Sequence, residues 1–228
     1  MTTLLLVRHG RTAANASGVL AGWTPGVDLD DAGRAQVAAL AERLRPVPLA
    51  ALVTSPLERC QQTAAALLDG RPSPTAEVDA RLGEVHYGDW TGRELKGLAK
   101  DPLWAAVQAH PSSVTFPGGE SLRAMQARAV DAVREHNARL GPDAVWVAVS
   151  HGDVIKAVVA DALGLHLDQF QRIVVDPASV TVISYAPLRP FVVRVNDTGG
   201  PLEPFVPRPK PKRRRRASSD AVVGGGTG

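Results

Sequence analysis

Three short apolar runs, each ending at a polar triplet and each followed by a helical pattern, limit the folds open to this chain. Thr3 to Val7 ends at Arg8-His9-Gly10, Ala51-Leu52-Val53 runs into Thr54-Ser55-Pro56, and Val145 to Val149 ends at Ser150-His151-Gly152. Runs this short and this apolar read as strands buried on both faces. After the first, a helix is predicted from about Asp31, with Asp30 as N-cap and Val37, Leu40, Ala41 and Leu44 on one face. After the second, a helix is predicted over Leu57 to Leu68. Pro56 is expected in its first turn, where the missing N–H costs nothing. After the third, a helix is predicted over Asp153 to Leu163, and Leu122, Met125, Ala129 and Val133 mark a longer one over Glu120 to Leu140. Ile173 to Val175, Val180 to Ser184 and Phe191 to Val195 read as further strands. Strands alternating with helices predict an α/β fold, a three-layer α/β/α sandwich around a mostly parallel central sheet.

A chain of 228 residues can bury one sizeable core. That domain is expected to span residues 1–197. From Thr198 onward, Pro, Arg, Ser and Gly replace apolar periodicity, so 198–228 reads as a disordered basic tail. The net charge of +3 is local: residues 201–228 carry seven basic side chains against Glu203 and Asp220, a +5 that leaves −2 for the rest. Lys210 to Arg216 could make weak contact with a polyanion, and a binding protein centred on that tail is the competing kind of function. The basic run holds no aromatic residue for base stacking. No apolar run reaches the roughly 20 residues of a membrane span. The start, Met1-Thr2-Thr3, lacks a basic region and a cleavage site. Cys60 is the only cysteine, so no intramolecular disulfide is expected and a cytoplasmic location fits best. Exposed sheet edges would allow either a monomer or a dimer.

In an open α/β sheet the ligand site lies beyond the carboxyl ends of the strands. There the three runs deliver Arg8-His9-Gly10, Ser55 to Arg59, and His151-Gly152. One such histidine alone is more often structural, but two histidines and two arginines on one rim suit a phosphoryl group. Guanidinium forks match its oxygens and stay charged at any working pH. Glycines after the histidines would let backbone N–H groups approach an anion, helped by helix N-termini.

Leu6-Val-Arg8-His9-Gly10-Arg-Thr12 with Asn15, Ser55 to Thr63, Leu82-Gly-Glu84-x-x-Tyr-Gly88-Asp-Trp90, and Ser150-His151-Gly152 follow one another in a set order. Together they resemble the histidine phosphatase (phosphoglycerate mutase-like) superfamily over about residues 3–196. Pro117 to Ser121 and Arg194 to Asp197 bring the likeness closest to an actinobacterial subgroup described as phosphomutases. The resemblance implies that His9 is the nucleophile, neutral at a near-ordinary pKa, with its second ring nitrogen donating to a backbone carbonyl. It implies that Arg8, Arg59 and His151 hold the phosphoryl oxygens. Asn15, Gly22 and the Gly152 amide would complete the binding cradle. Glu84 would serve as general acid and then general base. No metal and no cofactor is implied. Asp153 matches no acid position in the family pattern. Gly118 to Ser121 reads equally as a functional loop or as a turn and helix start, and Trp23, Trp90 and Trp104 read as packing residues, although Trp23 and Trp90 lie in loops that could line the pocket.

Other chemistries fit poorly. Cys60 lacks the arginine six residues on that a cysteine phosphatase needs, since Ala66 stands there. No Gly-x-x-x-x-Gly-Lys loop is present, and His151-x-Asp153 has no partner cluster for a metal. The expected activity is therefore phosphohistidine-dependent hydrolysis of a small phosphate monoester, with phosphomutase transfer as the alternative. Hydrolysis is favoured because Arg93 to Pro117 is short. Moreover, Val114-Thr-Phe116-Pro117 occupies the region where the resemblance leads one to expect a basic pair gripping a second phosphate.

Overall fold

A computed structural model describes residues 1–199. The tail expected over 198–228 lies, from residue 200 onward, outside the described residues. The basic run Lys210 to Arg216 lies outside the described residues.

The chain runs β1 (Thr2–Arg8), α1 (Ala13–Ser17), α2 (Asp31–Leu44), β2 (Ala51–Thr54), α3 (Glu58–Leu68), β3 (Ala76–Val78), α4 (Leu95–Leu98), α5 (Pro102–Ala109), α6 (Leu122–Leu140), β4 (Val145–Ser150), α7 (Gly152–Ala162), β5 (Val180–Tyr185) and β6 (Pro190–Asp197). Six strands form one sheet in the order β3-β2-β4-β1-β5-β6. The first four are parallel, while β5 pairs antiparallel with β1 and β6 antiparallel with β5.

Alternation along the central strands divides the core into two layers. Leu4 and Leu6 of β1 join Trp146 and Ala148 of β4 on the face covered by α6 and α7. Leu5 and Val7 join Val147 and Val149 on the face covered by α2 and α3. Every one of these side chains is buried. This explains why β1 and β4 read as unbroken apolar runs: a strand covered on both faces needs no polar side.

Three local expectations are corrected. Ile173 to Val175 is not a strand, because β5 already occupies the edge of β1. The segment instead follows a 3-10 turn at Leu167–Arg172, burying Ile173 and Val175 while Val174 is exposed. Its alternation reflects packing without strand pairing. Helix α3 starts at Glu58 with Leu57 as cap, so Pro56 precedes the helix and is outside its first turn. Helix α6 starts after Ser121, whose Oγ accepts from the Ala124 amide at 3.1 Å, so Glu120 is outside it.

The Pro117-Gly-Gly turn has a structural task. A Cβ on Gly119 would lie 2.1 Å from the His86 carbonyl oxygen, so only glycine lets this turn dock on the loop that carries Glu84.

Candidate active site

Strand ends and loops gather the site at one rim. His9 follows β1 and is almost wholly buried, its ring centroid 5.3 Å from that of His151, which follows β4. The His9 Nδ1–H donates to the Gly10 carbonyl at 2.8 Å, an assignment that leaves the lone pair on Nε2. Burial, reinforced by the charges of Arg59 and Arg8, holds the imidazole pKa well below its ordinary value. The near-ordinary pKa expected from sequence is therefore revised downward, and the ring stays neutral at neutral pH.

Two arginines flank this ring. Arg8 anchors through Nη1 to the Val175 carbonyl at 2.7 Å, and Arg59 through Nη2 to the Gly22 carbonyl at 2.9 Å. Each is left with one buried N–H group without a partner, Nε of Arg8 and Nη1 of Arg59. Buried donors seldom go unpaired, and charged ones are costly. A pair of them bordering one cavity suits an anion.

His151 is brought to the site but does not line the cavity. It is fully buried behind Arg59, whose Nη2 donates to His151 Nδ1 at 3.2 Å, while Nε2–H donates to Ser55 Oγ at 2.7 Å. Burial and the nearby charge of Arg59 lower its pKa well below the ordinary value, so this ring is neutral as well. Gly152 opens α7, so its amide has no partner within the helix. Asn15 also borders the cavity, although its Oδ1 is occupied by the Thr12 amide at 3.1 Å.

Gly10 behaves differently from the reading above. Its amide donates to Thr63 Oγ1 at 3.1 Å and is not offered to an anion. Glycine is required there because a Cβ would lie 2.7 Å from the Gly33 carbonyl oxygen.

Glu84 borders the same cavity, with its side chain 13% exposed and Oε2 3.6 Å from His151 Nδ1. Burial pushes its carboxyl up to about 7, against the pull of Arg59 and with help from Asp153. Its backbone carbonyl is clamped by Trp23 Nε1 at 2.7 Å and Arg128 Nη2 at 3.0 Å. Arg128 was not legible as a site residue, since nothing in its surroundings on α6 separates it from a surface arginine. Tyr87 stands inside the quoted motif without a role, yet its hydroxyl donates to Asp153 Oδ2 at 3.0 Å. Trp90 and Trp104 pack as expected and also border the cavity. Among the described residues no group of three or more His, Cys, Asp or Glu is placed to hold a metal ion.

Residues 4–198 match the model of the histidine phosphatase superfamily, branch 1. The chain belongs to the histidine phosphatase superfamily. This histidine phosphatase is 34% identical over 174 residues to glucosyl-3-phosphoglycerate phosphatase of Mycolicibacterium vanbaalenii, covering 73% of this chain and 76% of the relative. It is 31% identical over 194 residues to 2,3-bisphosphoglycerate-dependent phosphoglycerate mutase 2 of Gloeobacter violaceus, covering 77% and 82%. Among solved structures it resembles Bacillus stearothermophilus YhfR, with a TM-score of 0.80 and 32% identity over 86% of this chain and 98% of that one.

Proposed function

We propose that this histidine phosphatase hydrolyses small phosphate monoesters through a phosphohistidine on His9. The observation that carries the reading is a neutral His9 with Nε2 unprotonated, beside two buried guanidinium N–H groups that lack partners. In the first step Nε2 bonds to phosphorus as the ester P–O bond breaks, and the Glu84 carboxyl gives its proton to the departing oxygen. In the second, Glu84, now a carboxylate, takes a proton from water. The water oxygen bonds to phosphorus, the P–N bond breaks, and His9 returns neutral. A carboxyl at about 7 is matched to both tasks near neutral pH. Arg8 and Arg59 hold the charge on the non-bridging oxygens, with the Gly152 amide and Asn15 at the margin. His151, one contact removed, positions Arg59.

Transfer to a second hydroxyl, as in the mutase relative, is the alternative. Hydrolysis is favoured because Val114 and Phe116 are buried apolar residues where a basic grip would be needed. No helix of the described residues is long and apolar enough to cross a membrane. Cys60 is a free, buried thiol, which suits a reducing cytoplasm.

The deciding assay follows free phosphate from a panel of monoesters, alongside isomerisation of 3-phosphoglycerate. Phosphate release without isomerisation is expected. Fast isomerisation without release would establish the mutase.

A further inference from the structure

The cavity extends well past the His9 cradle. It encloses about 540 Å³, within the range of pockets that enclose whole small molecules. A bare phosphoryl group would leave most of it empty.

Its lining beyond the cradle has two characters. One part is apolar. Leu20, Leu95 and Trp104 border it, Trp104 stacked on Trp90 with centroids 6.1 Å apart. Leu95 is 39% exposed, an apolar surface left without a protein partner. The other part is polar but electrically balanced. Lys156 Nζ donates to Asp153 Oδ1 at 3.3 Å and to Gln171 Oε1 at 3.2 Å. Arg11 is tied to Asp30 at 2.8 Å. Thus each cation lining this region already has a carboxylate partner, and the other polar groups, Gln108 and Gln171, are uncharged.

From this lining we infer that the leaving alcohol is bulky, uncharged and rich in hydroxyl groups, a sugar-like phosphate monoester seated between Trp104 and Lys156. A second anionic group would compete with Asp153 for Lys156 and with Asp30 for Arg11, and would face the Asp153 carboxylate at close range. Hydroxyls can join the existing bonds without such a loss, since Gln171 and Lys156 offer donors and Asp153 an acceptor. The C–H face of a sugar ring is flat and apolar and matches the indole of Trp104. This inference rests on the phosphatase reading and specifies its substrate class.

The test separates binding from chemistry. In His9→Ala the ester stays intact, so calorimetry reads affinity for trehalose 6-phosphate, 3-phosphoglycerate and phosphoserine. The disaccharide phosphate is expected to bind at least about tenfold more tightly than either small anionic ester. Adding Trp104→Ala should cut that ratio about tenfold. Should that variant fail to fold, Leu95→Ser, at a partly exposed position, should cut it severalfold. Equal or tighter binding of 3-phosphoglycerate would overturn the inference, as would a ratio untouched by a folded variant. Phosphate release by the unaltered chain is read separately. The expected binding preference without release from any ester would defeat hydrolysis but leave the pocket assignment standing. Release with 3-phosphoglycerate preferred would do the opposite.

Discussion

The carboxyl groups of Glu84 and Asp153 meet on a single phenol: Tyr87 Oη lies 3.0 Å from Asp153 Oδ2 and 3.5 Å from Glu84 Oε1. Only the shorter contact is a firm hydrogen bond: the phenol O–H donates to Asp153 and places that carboxylate close to Glu84. After burial, Asp153 is the main influence raising the Glu84 carboxyl to about 7. Asp153→Asn removes that charge, so Glu84 should ionise at lower pH. A general acid works only while protonated. With a poor leaving group, the loss of kcat on the alkaline side should therefore begin at lower pH in the variant. A pH profile of kcat for an alkyl phosphate checks this, and an unmoved alkaline limb would remove Asp153 from the tuning role.

Replacing the acid itself should separate leaving groups. Glu84→Gln cannot donate a proton, so kcat on an alkyl phosphate should fall by about 10²-fold or more. On p-nitrophenyl phosphate, whose leaving group needs little protonation, the fall should be far smaller. Equal losses on both esters would take the acid role from Glu84.

The same substitution should stabilise the fold selectively. The Glu84 carboxyl is raised from 4.5 to about 7 on folding, so the folded state holds its proton more tightly than the unfolded chain does. Stability associated with that proton is complete below about pH 4.5 and is lost as pH rises through 7. Relative to the parent, Glu84→Gln should gain stability between pH 5 and pH 8, by up to a few kcal/mol. Thermal unfolding at the two pH values measures the gain, and a difference that did not grow with pH would contradict a buried, proton-holding Glu84.

Backbone packing under the nucleophile gives another test. A Cβ on Gly33 would sit 2.0 Å from the Arg11 carbonyl oxygen, which forces α2 away from the loop after His9. Gly33→Ala should cost about 1–3 kcal/mol, lowering Tm by roughly 2–12 °C. Activity should fall with it, because Gly33 and Val37 of α2 pack against Gly10, the residue whose carbonyl sets the His9 tautomer. A variant with unchanged Tm would show that this contact relaxes freely.

Much of this architecture was legible because its signals were local. The runs of β1 and β4 announced themselves by being apolar on both faces, and Asp30 caps α2 as its side chain foretold, accepting from the Gly33 amide at 2.7 Å. Strand β3 escaped notice because all three of its residues are exposed and its pairing with β2 rests on the backbone. The segment Ile173 to Val175 misled because alternation encodes alternate burial and says nothing about hydrogen-bond partners. In the site, Arg8, His9 and Arg59 could be named from strand ends. The placement of His151 behind Arg59 and the clamp of Arg128 on Glu84 could not. Both depend on side chains separated by dozens of residues, and only the folded chain fixes their distances. A glycine after a strand-end histidine suits an anion donor, whereas Thr63 claims the Gly10 amide, a competition between partners that no motif displays.

The most direct measurement is of His9 itself. Rapid acid-free quench of the protein with a ³²P-labelled phosphate monoester, followed by peptide mapping, asks whether phosphorus becomes bonded to that ring. The expected result is an acid-labile, base-stable label on the peptide carrying His9, absent in His9→Ala and longer-lived in Glu84→Gln with an activated ester. Turnover without label on His9, or label retained when His9 is replaced, would contradict the account.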